Sequence, residues 1–299
     1  MTAIMSHSVR KYAYVGKSHQ DMLDFDILEM IDWRAGDIVI SGPPKCGTNW
    51  AQQMVHQLRT GGDTEFISIR AVIPVVGHVK VNITREQELA QFASLPAPRA
   101  LKTHFGPPVL PLRPEVRYVV VLRDILDIPV SLMAFSNAFS DASRRRTGMP
   151  TYEDLHHLMD DFDDLGFYFA FLNGWLEHAS AANVLFLHYR NMKADLPGTL
   201  RRLGRFCGIE VENATTLRKV EEYCSFPWMK EHQLKFEVNW DGTPMVTTGN
   251  LIRRGEVGRN RQELPDDIRL RLEQLRQERV PARYRSWVAE GGEFPDEQA

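Results

Sequence analysis

The chain has 299 residues, 43% of them apolar, and a formal net charge of -3 at pH 7. This length and apolar content allow a core of ordinary size, so the fold needs neither a metal nor a disulfide for stability. The negative charge excludes a uniformly basic nucleic-acid-binding surface, and we expect no nucleic-acid partner.

Cysteine usage and hydropathy predict an intracellular location. The three cysteines, Cys46, Cys207 and Cys224, are widely spaced and form neither a C-x-x-C motif nor a disulfide framework, which is typical of a reducing compartment. The first twenty residues contain no apolar signal-peptide core, and no run of about 18 apolar residues could form a transmembrane helix. We therefore expect a cytoplasmic protein with no transmembrane segment.

The first predicted unit is a strand, a loop and a helix. A short apolar strand at residues 37–40 precedes a loop of glycines and prolines at residues 41–47. The helix is indicated by apolar residues at helical spacing, namely Trp50, Met54, Val55 and Leu58. Unpaired N–H groups and the positive dipole at such a helix start favour an anion, so this unit predicts a phosphate-binding loop.

The later elements alternate between strands and helices. Apolar runs predict strands at residues 99–104, 116–122 and 183–187. Periodicity and caps predict helices at residues 84–92, 151–181 with a break near Gly166, 196–207 before the C-cap Gly208, and 266–279. The order indicates an α/β fold of the P-loop nucleotide-binding type, with a central parallel sheet and helices on both faces. Without a repeat or long linker, residues 1–299 are predicted to form one domain.

The position of the loop lysine indicates the kind of phosphate ligand. An ordinary nucleotide-triphosphate loop reads G-x-x-x-x-G-K-[ST], whereas here Lys45 lies two residues before the second glycine, Gly47. The loop resembles the Y-P-K-[SA]-G-T-[TN]-W pattern of the sulfotransferases that depend on 3'-phosphoadenosine-5'-phosphosulfate (PAPS). Residues 47–50 and the preceding Pro44 and Lys45 match this pattern, while Pro43 and Cys46 depart from it.

A second match contains a candidate catalytic base. Lys102-Thr103-His104 resembles the family's K-T-H-[LF]-P segment, although Gly106 stands where proline is usual. The resemblance implies that His104 is the base and Lys102 an electrostatic helper. Histidine suits this task because its ordinary pKa lies near neutrality.

Two further matches imply a binding site for the 3'-phosphate of PAPS. Arg123 and Ser131, eight residues apart after an apolar strand, resemble the family's R-[DN]-x-x-D-x-x-x-S element. Arg253, Arg254 and Gly255 resemble its R-K-G segment. Such a segment suits a dianion, because arginine forks supply charge and donors and glycine lets a backbone N–H approach closely. Taken alone, the first motif is better explained as a buried strand that ends in a surface Arg-Asp pair, and the second as a solvated basic turn.

Smaller matches imply contacts to adenine. Tyr189 lies in a segment that resembles Y-E-D-[ML]-K, and Cys224 begins one that resembles T-S-F-x-x-M-K, with cysteine in place of threonine. By the same resemblance, Trp50 stacks on the adenine ring. Each aromatic is equally consistent with core packing.

Together the resemblances span residues 37–258 and imply sulfuryl transfer from PAPS to a small-molecule hydroxyl, with an amine as the second choice. Lys45 binds the 5'-phosphosulfate with the help of Cys46, Gly47, Thr48 and Asn49, 3',5'-bisphosphate adenosine (PAP) is the product, and no metal is required.

We also expect the acceptor to be hydrophobic. Apolar and aromatic residues lie in or next to the stretches expected to bind it, at 66–82, 134–150 and 229–248; they are Phe66, Val76, Phe135, Phe139, Trp228, Phe236 and Trp240. The alternatives are a P-loop kinase-like phosphotransferase and a catalytically silent nucleotide-binding module. The sequence leaves the oligomeric state open.

Overall fold

The computed structural model describes residues 23–80, 83–239, 241–247, 249 and 251–296. Four parallel strands form a sheet in the order β2-β1-β3-β4. The strands are β1 (Ile38–Ser41), β2 (Ala100–Thr103), β3 (Arg117–Leu122) and β4 (Val184–His188). The predicted strands at 37–40, 99–104, 116–122 and 183–187 are thus confirmed to within about a residue at each end.

Helices and short 3-10 turns connect and follow the strands. The helices are α1 (Asp26–Met30), α2 (Thr48–Thr60), α3 (Ile69–Val72), α4 (Arg85–Ser94), α5 (Ile128–Asn137), α6 (Asp141–Thr147), α7 (Leu155–Asp161), α8 (Gly166–Leu176), α9 (Tyr189–Ala194), α10 (Leu196–Cys207), α11 (Ala214–Tyr223), α12 (Phe226–Glu231), α13 (Leu234–Glu237), α14 (Arg259–Gln262), α15 (Asp266–Arg279) and α16 (Arg285–Glu290). The 3-10 turns are Ile125–Asp127 and Ala282–Tyr284.

Alternate residues of the strands pack on opposite faces of the sheet. In β3, Val120 and Leu122 belong to one buried cluster, whereas Val119 and Val121 belong to another. The first cluster includes apolar residues of α8, and the second includes residues of α2, α10 and α11. Because side chains alternate along a strand, this division confirms the prediction of helices on both faces.

The outer edge of β2 is paired with an irregular segment that follows α3. The Lys102 amide donates to Pro74 O at 2.8 Å, and the Val76 amide donates to Lys102 O at 2.8 Å. Val75 thereby bridges Lys102 in parallel. This pairing fixes α3 and its following loop beside the strand that ends at His104.

Several predicted helix ends are confirmed together with their causes. Thr84 and Gln87 form a reciprocal capping box at the start of α4. Gly208 ends α10 in the left-handed conformation, with φ = 63°. Positive φ values at 163–165 separate α7 from α8, which places the predicted break near Gly166.

In the described part of the chain, no helix is both long and apolar enough to cross a membrane.

Candidate active site

One cavity lies at the carboxyl ends of β1, β2 and β3. Its lining contains every predicted site residue except Cys46 and Cys224: Lys45, Gly47, Thr48, Asn49, Trp50, Lys102, His104, Arg123, Ser131, Tyr189, Arg253, Arg254 and Gly255. These residues come from five separate stretches of sequence. The fold therefore brings together the groups that the motifs predicted separately.

The predicted phosphate loop leads from β1 into α2. Gly47 is the residue before α2 and has φ = 101°, a conformation that favours glycine. A Cβ atom at Gly47 would lie 2.8 Å from Cδ2 of Tyr189, so the ring of that tyrosine also requires glycine here. Lys45 itself has φ = 69°, in the left-handed region that non-glycine residues rarely adopt. This backbone directs the lysine into the cavity.

His104 is held as a neutral base. Its Nδ1 lies 2.7 Å from Gly42 O, and since a carbonyl only accepts hydrogen bonds, Nδ1 must carry the proton. Nε2 then has the free lone pair. Burial, followed by the charge of Lys102, lowers the pKa of His104 well below 6.5. The imidazole is therefore neutral at pH 7 and able to accept a proton.

Two lysines lie beside this histidine with their charges poorly compensated. Burial, followed by the charges of the nearby Arg253 and Arg123, lowers the pKa of Lys45 to about 7. The Lys45 ammonium lies 4.4 Å from the centre of the Phe135 ring. Burial also lowers the pKa of Lys102 well below 10.5, and its ammonium donates to Asn49 Oδ1 at 2.8 Å. An anion in the cavity would favour the charged form of both lysines.

Arg123 is fixed from three sides. Its Nε donates to Asp127 Oδ2 at 3.2 Å, and its terminal nitrogen donates to Glu256 O at 3.2 Å. The guanidinium carbon lies 4.5 Å from the centre of the Tyr189 ring. Ser131, one turn into α5, lines the same cavity. The arginine fork is therefore already oriented for an anion.

The segment 251–256 forms another wall of the cavity. Gly255 has φ = 63°, and a Cβ atom there would lie 2.4 Å from Cε2 of Phe226. Arg254 pairs with Glu263 at 2.5 Å, whereas burial lowers the pKa of the half-buried Arg253. Of the pair, Arg253 is the more available to a ligand.

Two buried or half-buried charges in α12 and α13 hold this wall in place. The Glu237 carboxylate accepts the amides of Gly249 at 2.9 Å and Leu251 at 3.1 Å. The Lys230 ammonium donates to Ile252 O at 2.5 Å. Main-chain groups of the wall are therefore satisfied by side chains from outside it.

Of the three residues predicted to contact adenine, two line the cavity and Cys224 does not. Trp50 and Tyr189 both line the cavity, with ring centres 5.6 Å apart and planes at 66°. Cys224 is buried, and its carbonyl accepts the Trp50 Nε1 hydrogen bond at 2.7 Å. It thus contacts the tryptophan through its backbone. Cys46 is fully buried, and burial raises its thiol pKa to about 12.

The cavity also contains basic residues that were not among the predicted site residues. Arg70, Lys193 and Arg259 add positive charge to its lining. Arg70 lies on α3, in a stretch where the sequence showed loops and only one helix. The sequence signal for this helix is Ser68, an N-cap residue whose hydroxyl accepts a hydrogen bond from the Arg70 amide at 3.1 Å.

The predicted acceptor-binding residues are mostly core residues. Phe135 lines the cavity, while the others in the described chain are buried in apolar clusters: Phe66, Val76, Phe139, Trp228 and Phe236. Trp240 lies outside the described residues. The apolar lining is instead completed by Met229, Leu251 and Ile252.

Comparison with known proteins identifies relatives along most of the chain. Mouse sulfotransferase 4A1 is 27% identical over 224 residues, covering 73% of each chain. Human sulfotransferase 1C2 is 27% identical over 243 residues, covering 77% of this chain and 78% of the relative. The predicted family resemblance thus extends beyond the short motifs to about three quarters of the chain.

The fold is shared with solved structures. Retinol dehydratase in complex with androsterone and PAP superposes with a TM-score of 0.70 at 16% identity, covering 85% of this chain and 83% of the other. The model of the sulfotransferase domain family matches residues 35–282. This match spans all four strands and every wall of the cavity, and the chain belongs to the sulfotransferase family, as its motifs predicted.

Proposed function

We propose that this chain transfers the sulfuryl group of PAPS to the hydroxyl of a small, apolar acceptor and leaves PAP. The observation that carries the proposal is the presence in one cavity of a neutral histidine and a loop lysine whose pKa is about 7. A base and a cation at opposite ends of a transferred group are what this chemistry needs.

The lining fits PAPS in charge and shape. Lys45, Arg123 and Arg253 are cationic, while Glu256 is the one acidic residue among the described residues of the lining. Trp50 and Tyr189 add aromatic faces for a purine. We assign the 5'-phosphosulfate to Lys45 with Thr48, Asn49 and the loop amides. The 3'-phosphate is assigned to Arg123, Ser131 and residues 253–255.

The roles of the polar residues follow from their protonation. PAPS, when bound, supplies the activated sulfuryl group. His104 Nε2 accepts the proton that the acceptor hydroxyl loses as its oxygen bonds to sulfur. The Lys45 ammonium balances the charge that develops on the phosphate oxygen released from sulfur. Lys102 keeps Asn49 in position and adds positive potential beside the histidine.

An apolar acceptor is supported by the wall next to Lys45. Phe135, Met229, Leu251 and Ile252 line the cavity and offer only apolar side chains. The solved structure of retinol dehydratase that shares this fold was determined with androsterone. We therefore favour a phenol or an apolar alcohol over a polysaccharide.

The carboxylates after β3 do not favour the kinase alternative. Asp124 pairs with Arg276 at 2.9 Å and with Arg261, and Asp127 accepts Arg123 at 3.2 Å and the Gly258 amide at 3.1 Å. Both acids are therefore engaged by basic groups, whereas a kinase needs such an acid to hold magnesium.

Acceptor sulfation from labelled PAPS tests the assignment. We expect Lys45→Ala and His104→Ala each to lower kcat/KM by about 100- to 10,000-fold. His104→Ala should keep the affinity for PAP, whereas Lys45→Ala should weaken it. Lys219→Ala, at an exposed lysine of α11, is the matched control and should behave as wild type.

Two outcomes would contradict the proposal. Wild-type rates in both variants would show that neither side chain takes part. Tight binding of PAP with no sulfated product from any phenol, sterol or alcohol would instead support a silent nucleotide-binding module.

We extend the proposal to organisation and location. A single domain over residues 1–299 is supported by one buried cluster that contains both Leu23 and Phe294. A cytoplasmic location is supported by three free cysteines, all buried.

A further inference from the structure

One arginine of the cavity lining has a buried nitrogen with no hydrogen-bond partner in the described chain. Arg70 lines the cavity, and its Nε is buried with no hydrogen-bond partner among the described residues. Two other arginines of the lining differ in this respect, since Arg123 pairs with Asp127 at 3.2 Å and Arg259 with Glu256 at 3.1 Å. A buried guanidinium nitrogen without an acceptor is unfavourable, so the half-buried Arg70 is suited to a ligand that supplies an anion.

The backbone that carries Arg70 is held firmly. Its amide donates to Ser68 Oγ at 3.1 Å, and that hydroxyl donates to Val238 O at 3.1 Å. At the end of α3, Arg59 donates to Val72 O at 3.1 Å. The guanidinium therefore projects from a fixed support and is partly preorganised for binding.

Arg70 belongs to the side of the cavity that contains the proposed base. The segment after α3 pairs with β2 through Val75 and Lys102, and β2 leads directly to His104. The residues assigned to the 3'-phosphate follow β3 or lie in the segment 251–256 instead. Charge interactions agree with this position. Arg70 lowers the pKa of Lys102 more than Lys45 does, but it affects Lys45 less than Arg253 or Arg123 do.

We propose that Arg70 binds an anionic group of the acceptor, so that this enzyme prefers a hydroxy acid with an apolar body over the corresponding neutral alcohol or phenol. The inference rests on the proposed function for the place of the acceptor, and it narrows the substrate class. The hydroxyl meets His104, the apolar body contacts Phe135 and Met229, and the carboxylate, sulfate or phosphate of the acceptor pairs with Arg70.

Binding to the PAP-loaded protein tests this without catalysis. The probes are para-hydroxybenzoate, para-hydroxyphenylacetate and para-hydroxyphenylpropionate, each compared with its methyl ester by calorimetry. Wild type should bind at least one acid about 10- to 100-fold more tightly than its ester, as expected for a charge-assisted hydrogen bond in a buried site. Arg70→Met should lose this preference and keep its affinity for PAP.

Two further variants make the result decisive. Arg70→Lys should keep a reduced preference for the acid, because lysine retains the charge but not the fork. Arg201→Met, at an exposed arginine of α10, should leave binding unchanged. If Arg70→Met does not fold, the proposal is still tested by the ratio of acid affinity to ester affinity in wild type and in Arg70→Lys.

The proposal is overturned if PAP-loaded wild type binds no acid more tightly than its ester, or binds none of the probes. It is also overturned if Arg70→Lys and Arg70→Met lose PAP affinity as much as acid affinity, since Arg70 would then contact the donor. Failure of the proposed function looks different, because it would leave acid binding intact without sulfated product from PAPS.

Discussion

Binding of PAP should be accompanied by uptake of a proton at Lys45. In the ligand-free protein, burial and then Arg253 and Arg123 lower the pKa of Lys45 from 10.5 to about 7. A bound phosphate favours the ammonium and so raises this pKa again. The sign of the pH dependence of PAP affinity follows from the linkage between proton binding and PAP binding. Because the complex binds the extra proton more tightly than the free protein does, PAP affinity falls as pH rises above about 7.

The size of the effect follows from the protonated fraction of Lys45. With a pKa of about 7, about half of the free protein carries the Lys45 proton at pH 7 and about one tenth at pH 8. Lys45 should therefore take up about 0.5 proton at pH 7 and about 0.9 at pH 8 when PAP binds. Through Lys45 alone, the PAP dissociation constant should rise about 50-fold between pH 7 and pH 9. The phosphates of PAP contribute little here, because their second pKa lies near 6.

Calorimetry in buffers of different ionisation enthalpy measures the proton uptake directly. Lys45→Met should bind PAP more weakly at pH 7, with less proton uptake and a flatter pH dependence than wild type. Lys219→Met, at an exposed position, should retain the wild-type profile. The assignment to Lys45 is refuted if wild type takes up no proton when it binds PAP at pH 8. It is also refuted if wild type and Lys45→Met take up the same amount.

Two other predictions concern the cavity wall and the absence of a metal requirement. Glu237→Gln should lower the free energy of unfolding by about 1–3 kcal/mol and weaken PAP binding, because the carboxylate that accepts the Gly249 and Leu251 amides becomes neutral. Urea denaturation measures this against Glu231→Gln at an exposed site, and equal stability of the two variants would contradict the role of the carboxylate. Sulfation should persist after treatment with a chelator, because Lys45, Arg123 and Arg253 of the cavity lining supply the positive charge that magnesium supplies in kinases. Activity that is lost on chelation and restored by magnesium would show that prediction to be wrong.

The sequence predicted the cavity because its main residues follow strands. Parallel strands place their carboxyl ends at one edge, so Lys45, His104 and Arg123 could be expected to lie together before any coordinates were known. The four strands were recognisable as short apolar runs, and all four occur in the sheet. Local patterns sufficed where one element and its following loop supply the functional group.

Residues placed by long-range packing were not predictable in this way. Arg70 lies on a helix of four residues, too short for periodicity to be recognised. Phe66 and Phe236 were expected to contact the acceptor, but both belong to one buried apolar cluster. This prediction was wrong because composition cannot distinguish an apolar cavity wall from an apolar core. The carbonyl of Cys224 contacts Trp50 from 174 positions away, and a backbone contact has no residue signature.

The left-handed backbone at Lys45 sets the stability of the empty protein against ligand binding. The residue combines a strained main chain with an ammonium whose pKa is lowered by burial, and each of these disfavours the folded state before a ligand binds. Glycine would adopt this backbone without strain, but it would supply no charge to an anion. Lys45 is therefore a point at which stability and activity oppose each other.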